Sequence, residues 1–492
     1  MRWSNKNWQS AWGSKLTSPL LFEILTLALL LASGVSGAFL LGARSALQAI
    51  PLGLGLAVMW RVLSHSVIYF IGFGEHSRLV WLVGAIALIA ADGFKLFRLS
   101  GYWLSVLLGV IAAAIAAVLT RGFGLRGIPH SDSLWILTLS DLMQRSGDLE
   151  IVGGRTAIKR GFAYPMTLAL GPEGSSLTGL TPLIYIALVL AIIWAIVSLS
   201  PKLTAKQWAW ILVPLVLVLI TTPILLRAVW YVNGHTLTAL GVTLAVTAVV
   251  LAVRDGTLTR LNLAVIMIGL ALISTTRPEG VAFAALIAAP LISERWISRW
   301  DVRWIVFSAL GSFGLWMYLC DGYIPNELRL YDERFPIAML IGSFLVGLKL
   351  FDWFRFRLVP LALIGMTAIL VFVFATNFVT LTDDVWLQVQ NMFFGEGFWG
   401  GFFIAMVIGA VVLGLRKLDS NFRLLALISV LLVIGSIVAK LMDGGLFGDP
   451  TLGRLGWTDS LNRMWLHSFG IFIITLVIGF AQSVSQKAKV SA

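Results

Sequence analysis

A histidine and an aspartate, His130 and Asp132 in the stretch GIPHSDSLW, follow an apolar run at residues 103–120 in a chain of which only 12% is charged. A carboxylate at the edge of a bilayer is costly unless it is paired or functional. The segment after it, SLWILTLSDLM at 133–143, is too apolar for a solvated loop and too short to span. It predicts an interfacial helix with Asp132 or Ser131 as its N-cap. The two roles of Asp132 are compatible, since a cap at the membrane surface faces the depth at which lipid-linked substrates present their head groups. Asp141 reads as solvated helix surface and His130 as an interface residue.

Groups that could answer an anion lie in other segments. Arg155, Lys159 and Arg160 precede Tyr164-Pro165, which ends the polar part of a long loop and turns the chain back along the membrane. In STTRPEGVAF, Arg277 and Glu279 stand between two apolar runs separated by a turn that Pro278 and Gly280 enforce. An Arg277–Glu279 ion pair stapling this hairpin is one reading, and a phosphate contact by Arg277 is the other. Near the C-terminus, Asp459, Arg463 and His467 in GRLGWTDSLNRMWLH recur every four residues and so share one helical face. His235 in YVNGHTL, the pair Asp383-Asp384, and Arg329 and Arg334 complete the set.

The elements that must position these residues are membrane helices. Hydrophobic residues make up 59% of the 492, and apolar stretches near twenty residues recur from end to end. An all-α integral membrane protein of about 14–15 transmembrane helices is predicted, with a large extracytoplasmic loop at 121–179 carrying the interfacial helix. A soluble protein is excluded. The net charge of +12 is explained by basic residues in alternate loops, including Arg254, Arg260, Arg295, Arg299, Arg303, Arg416 and Arg423, which the positive-inside rule places in the cytoplasm. The charge therefore calls for no nucleic acid, and the polar groups named above fall on the opposite, extracytoplasmic side. Residues 1–99 read as N-terminal transmembrane helices and 100–492 as the core. Their parity is open: Arg2, Lys6 and Lys15 favour a cytoplasmic N-terminus, whereas three spans before residue 103 place it outside. Arg61 falls within an apolar run. Cys320 is the only cysteine, so neither an intramolecular disulfide nor a cysteine-based metal site can form. No fixed-period repeat is visible.

From residue 103 to the C-terminus this pattern resembles the bacterial multi-spanning glycosyltransferases of the GT-C superfamily, which include protein mannosyltransferases and lipid A aminoarabinose transferases. HSDS with Asp132, the following helix and Tyr164-Pro165 are similar to that family's essential aspartate, interfacial helix and tyrosine-proline. TRPEG resembles a hairpin motif of its bacterial members, and NRMWLH the start of a late arginine-bearing helix. Two departures are plain: the aspartate loop follows several helices rather than the first, and the family's paired acidic motif is reduced to Ser131-Asp132-Ser133. The resemblance implies a bacterial inner-membrane, cell-envelope enzyme that transfers a sugar from a polyprenyl-phosphate donor to a hydroxyl on a glycan, lipid or protein. Asp132 is then the general base, with inversion at the anomeric carbon. Lys159, Arg160, Tyr164, His235, Arg277, Glu279, Asp459, Arg463 and His467 are the substrate-binding candidates. Such a reaction needs no cofactor, and an isolated carboxylate is a poor divalent-metal site. A transporter or flippase for a lipid-linked or anionic solute is the competing expectation, for which charged or helix-breaking residues near the midplane of the spans are the signature.

Overall fold

The structure, a computed structural model, describes residues 6–91, 99, 101–122, 131–145, 161–171, 175–201, 203–232, 234–277, 279–319, 357–376, 378–414, 419–441 and 460–490. The chain is an all-α membrane protein. Among the described residues there is no strand, and seven helices are long and apolar enough to cross a bilayer. Shorter apolar helices accompany them at Ser77–Ala90, Arg260–Thr276, Gly280–Ile292 and Leu358–Ala368. The span expected at 337–350 lies outside the described residues.

Two compact units divide the chain. The first comprises Met1–Ala187, Val229–Gly234 and Trp316–Glu333, and the second Leu188–Ala228, His235–Leu315 and Arg334–Ala492.

In the first unit α1 (Lys6–Leu40), α2 (Ala46–Phe70), α3 (Ser77–Ala91) and α4 (Tyr102–Ala117) form a bundle. Lipid tails are as apolar as leucine, so helices in a membrane associate by close packing and by polar contacts between them. Both are present. A Cβ on Gly34 would lie 1.9 Å from the Gly53 carbonyl oxygen, so only glycine lets α1 and α2 cross there. The Ser36 hydroxyl lies 2.9 Å from the Tyr102 hydroxyl and ties α1 to α4. Near the start of the apolar part of α1, the buried Glu23 carboxyl accepts the Gly179 backbone N–H and, at 3.2 Å, the Thr178 hydroxyl. A Cβ on Gly179 would in turn approach the Ala117 nitrogen at the end of α4. The apolar part of α1 thus begins at the bundle end where α4 finishes, as three helices before α4 require.

The expected helix after GIPH is present as α5 (Ser131–Arg145). It opens at Ser131, which puts Asp132 inside its first turn rather than ahead of it. Ser133, Ile136, Leu139, Ser140 and Met143 are buried along one stripe, while Leu134 is exposed. Asp141 lies on the solvated side and pairs with Arg145 at 3.1 Å, as a helix-surface residue should. The stripe packs on α6 (Ala163–Leu168), a six-residue helix whose every residue is buried. Tyr164-Pro165 therefore sits within a buried helical turn. Backbone this irregular is tolerated among membrane helices only when protein groups satisfy it.

The second unit takes in the end of α7 (Leu180–Leu199), α8 (Ala205–Thr221) and most of α9 (Pro223–Trp230). A span expected at 208–226 is broken here, because Thr222 is extended ahead of Pro223. Next comes α10 (His235–Asp255), buried from His235 to Ala252. Its sequence is apolar all round, which suits a helix surrounded by others. Around it pack α11 (Arg260–Thr276), α12 (Gly280–Ile292), α18 (Ser420–Leu441) and α19 (Ser460–Val490). Gly241 and Gly269 bring α10 and α11 together, each lying where a Cβ would come within 2.8 Å of the other's carbonyl oxygen. The unit also holds α13 (Arg299–Val306), α14 (Ser312–Leu319) as far as Leu315, α15 (Leu358–Thr376), α16 (Phe378–Phe393) and α17 (Phe402–Gly414). The loop expected at 379–397 is mostly the helix α16. Between α16 and α17, Trp399 stacks on Phe402, and Phe403 meets Trp465 of α19 edge-on. These rings fix the start of α19.

Candidate functional site

Three sequence-distant segments converge where α10 and α12 begin and α11 ends. Each arrives for a local reason. Arg277 precedes Pro278 and takes the extended backbone such a residue prefers, with φ −151° and ψ 142°, so α11 stops at Thr276. Gly280 then opens α12 so close to α11 that a Cβ would sit 2.0 Å from the Ile273 carbonyl oxygen. The turn expected from RPEG is therefore present, and glycine is a steric necessity in it. His235 is the first residue of α10, and His467 lies two turns into α19. Thr238 and Thr276, whose hydroxyls are 2.8 Å apart, hold α10 against α11 beside them.

His235 and His467 are both buried, with Nδ1 of the first 2.8 Å from Nε2 of the second. Nη2 of Arg277 lies 2.7 Å from His235 Nε2 and 3.0 Å from its Nδ1. A guanidinium only donates, and Nδ1 is already engaged by His467, so Nε2 is the acceptor. This hydrogen-bond pattern assigns the tautomers. His235 carries its proton on Nδ1 and donates to His467 Nε2, which leaves the His467 proton on Nδ1. That last N–H is buried and has no hydrogen-bond partner among the described residues. Phe283 closes the cluster with its ring edge-on to His467, 6.0 Å between centroids.

The Arg277 Nε lies 3.8 Å from Glu279 Oε1, with the two side chains 15% and 19% exposed. That separation is the outer edge of an ion pair and longer than a charge-assisted hydrogen bond. The shorter, more buried commitment of Arg277 is to His235. Arg463 is buried one turn before His467 on the same helix, on the face expected from their four-residue spacing.

Four candidates from the sequence, His235, Arg277, Glu279 and His467, are thus brought into one cluster. Arg463 stands beside it on α19. Tyr164 belongs to the first unit, fully buried and hydrogen-bonded to the Thr181 hydroxyl, and burial pushes its phenol well above the usual range. That hydrogen bond ties α6 to the start of α7. Asp132 is placed by its backbone in α5, with its side chain outside the described set, and Lys159, Arg160 and Asp459 lie outside the described residues.

Compared with protein-family models, curated proteins and solved structures, the chain matches none. The functional reading therefore rests on its own chemistry and on the motif resemblance.

The first unit also holds polar groups that the sequence reading passed over or left unexplained. Besides Glu23, Arg61 is buried in α2 with Nε donating to the Met166 carbonyl at 3.2 Å. His65 is buried one turn further on, its Nδ1 2.8 Å from the Ser77 hydroxyl. Arg78 donates to the Leu170 and Gly171 carbonyls at 3.1 and 2.7 Å. Their signal was present in the sequence: an ionisable residue inside an apolar span costs several kcal/mol of desolvation on the order of magnitude known for such sites and persists only for a structural or functional reason.

Proposed function

We propose that this protein is a membrane glycosyltransferase of the GT-C kind, moving a sugar from a polyprenyl phosphate to an acceptor hydroxyl on the extracytoplasmic face of a bacterial cytoplasmic membrane. The observation that carries the reading is the Arg277–His235–His467 chain at the ends of α10 and α11. It holds a guanidinium in a fixed orientation at the margin of buried helices, part of it still open to the surroundings. Such a fixed cation is what a phosphate leaving group requires, because electrostatic stabilisation is strongest where no dipole has to reorganise as charge develops.

In the proposed reaction the acceptor oxygen attacks the anomeric carbon as the bond from that carbon to the phosphate oxygen breaks. The acceptor proton passes to a general base, the role that the motif resemblance implies for Asp132. The bonding pair leaves with the lipid phosphate, and Arg277 takes up the charge. His235 and His467 keep Arg277 in place, and Arg463 adds a second positive charge on α19. An apolar cavity of about 530 Å³ on the same unit, lined by Leu215, Phe402, Met406, Ile473, Leu476 and Phe480 among others, lies along the middle of α19. It has the lining that an isoprenoid chain requires.

Lipid and glycan analysis of cells carrying Asp132→Asn or Arg277→Gln tests this function, with the amount of protein in the membrane measured alongside. Loss of one glycosylated product in both variants is expected. Unchanged products at normal protein levels would reject it. A transporter reading is favoured by one observation, the burial of Glu23, Arg61 and His65 within spanning helices of the first unit. Solute accumulation by proteoliposomes of the purified chain, with the product profile of the cells unaltered, is the outcome that selects it.

A further inference from the structure

In the second unit an arginine followed by a tryptophan recurs every fourth residue of RWISRWDVRW, at 295–296, 299–300 and 303–304. The last two pairs lie on α13, where that spacing keeps like residues on one side. Ile297, Val302 and Ile305 are buried, while Trp296, Trp300 and Trp304 are 37%, 60% and 39% exposed. Among the described residues five tryptophans are exposed, and three of them stand within these nine residues. Exposed indoles mark the depth at which lipid head groups meet the apolar core, being apolar in the body and polar at one N–H. The sequence places them at that boundary, because charge stops at Arg303 and 304–319, WIVFSALGSFGLWMYL, carries none.

Arg303 shows what this side of α13 is built to meet. Its guanidinium carbon lies 4.8 Å from the centre of the Trp300 ring. Its Nε is buried with no hydrogen-bond partner, and no carboxylate forms an ion pair with it, among the described residues. The acid nearest in sequence, Asp301, is engaged in the helix cap, its carboxylate accepting the Ser298 hydroxyl at 2.6 Å and its N–H donating back at 3.1 Å. A guanidinium laid on a ring is held in its plane and keeps edge N–H groups for a fork-like contact to phosphate oxygens. Membrane topology alone asks for less. Lysine satisfies the positive-inside rule as well as arginine, at any spacing, yet every cation between Ile292 and Trp304 is an arginine set beside a tryptophan.

We propose that Arg303 stacked on Trp300, with the exposed Arg299 and the rings of Trp296 and Trp304 near it in the chain, binds the head group of an anionic phospholipid. The Arg303 guanidinium takes the phosphate oxygens, and the indoles pack on the glycerol and the first acyl carbons. A zwitterionic lipid offers the same phosphate but adds an ammonium, which the positive charge of Arg295 and Arg299 disfavours, so the site selects lipids of net negative charge. It is independent of the glycosyltransferase reading.

Native mass spectrometry of the delipidated full chain in a non-ionic detergent tests the site. The chain is titrated with phosphatidylglycerol or with phosphatidylcholine of the same acyl chains, and the tightest-bound lipid is followed. Phosphatidylglycerol should be retained at about tenfold lower concentration than phosphatidylcholine. Arg303→Gln should weaken its retention about tenfold, the loss expected when a charged hydrogen-bond donor is removed. Trp300→Leu, which keeps an apolar side chain but removes the ring under the guanidinium, should weaken it about threefold or more. Because Trp300 is the most exposed of the three rings, this variant remains decisive if Arg303→Gln does not fold. Arg423→Gln, the same change of charge at an exposed position on α18, should leave retention unchanged. Equal retention of the two lipids overturns the site, as does retention undiminished in Arg303→Gln or Trp300→Leu. An equal loss in Arg423→Gln would show attraction by overall charge instead. Displacement of phosphatidylglycerol by inorganic phosphate, but not by chloride at the same ionic strength, would show a site for free anions and overturn the lipid assignment.

Discussion

His235 and His467 stand 232 positions apart in the chain, yet their ring nitrogens Nδ1 and Nε2 meet at 2.8 Å. Neither makes sense alone. A single buried imidazole is commonly a satisfied core residue, but this pair passes one hydrogen-bond direction from Arg277 through two rings. A stabiliser of developing charge needs that kind of fixed support.

The pair should be energetically coupled. His235→Ala removes the acceptor of Arg277, and His467→Ala removes the acceptor of His235, each at a cost of about 1–3 kcal/mol for the buried donor left behind. A double-mutant cycle on thermal stability should give an interaction energy of about 0.5–3 kcal/mol. Strict additivity would mean that the rings do not share a hydrogen bond.

Arg277 and Glu279 should separate clearly. If the arginine mainly staples the hairpin through the Glu279 carboxylate, both substitutions cost alike. With the contact at 3.8 Å, Glu279→Gln should change stability by less than about 1 kcal/mol and leave most of the transfer activity. Arg277→Lys should lower product formation by about 10²–10³-fold, the range known for loss of one preorganised donor to a developing oxyanion. Assays on purified protein with a polyprenyl-phosphate sugar would measure both.

Asp132→Asn should abolish product with the membrane level of the protein unchanged, since losing one negative charge in a helix's first turn costs only about 0.3–1 kcal/mol and asparagine cannot accept the proton. Asp132→Ala should in addition lower the melting temperature. Equal activity in the asparagine variant would leave Asp132 as a helix-start residue only.

Glu23 carries a structural load that distinguishes enzyme from transporter. Because its carboxyl receives the Gly179 N–H and the Thr178 hydroxyl, Glu23→Ala should destabilise the chain by about 1–3 kcal/mol, and Glu23→Gln, which keeps an acceptor oxygen, by less. A glutamine variant of normal stability that abolishes solute uptake in proteoliposomes would instead show that the carboxyl works in transport.

Helix crossing should discriminate sharply between glycines on one helix. Gly34→Ala places a methyl 1.9 Å from a backbone oxygen that cannot move aside, whereas Gly37→Ala meets only leucine side-chain atoms, the nearest at 3.4 Å. The first should destabilise by about 1–3 kcal/mol or more, and the second by a few tenths at most. Midpoints of thermal unfolding in detergent would rank them.

The sequence by itself determined the class of this protein and most of its helices. Apolar runs of bilayer length can be nothing but helices, because backbone groups in hydrocarbon must pair within their own segment. It also marked the RPEG turn, since a residue before proline leaves the helical region and glycine admits a close approach, and it marked the face shared by Arg463 and His467 through their spacing. Local rules of that kind need no partner. The tertiary structure decided the rest. That Arg277 commits to His235 rather than to Glu279 depends on how α10, α11 and α19 pack, which rests in part on the close contact of Gly241 with Gly269. The same holds for the burial of Tyr164-Pro165, which lie in a short helix buried on every side. Burial of Arg61 beside Arg78 was equally invisible, because a one-dimensional hydropathy profile registers a charge in a span without saying what surrounds it. Helix formation is governed by residues within a turn of one another, whereas a site is made by side chains from several helices, and only their packing sets the distances at which those groups interact.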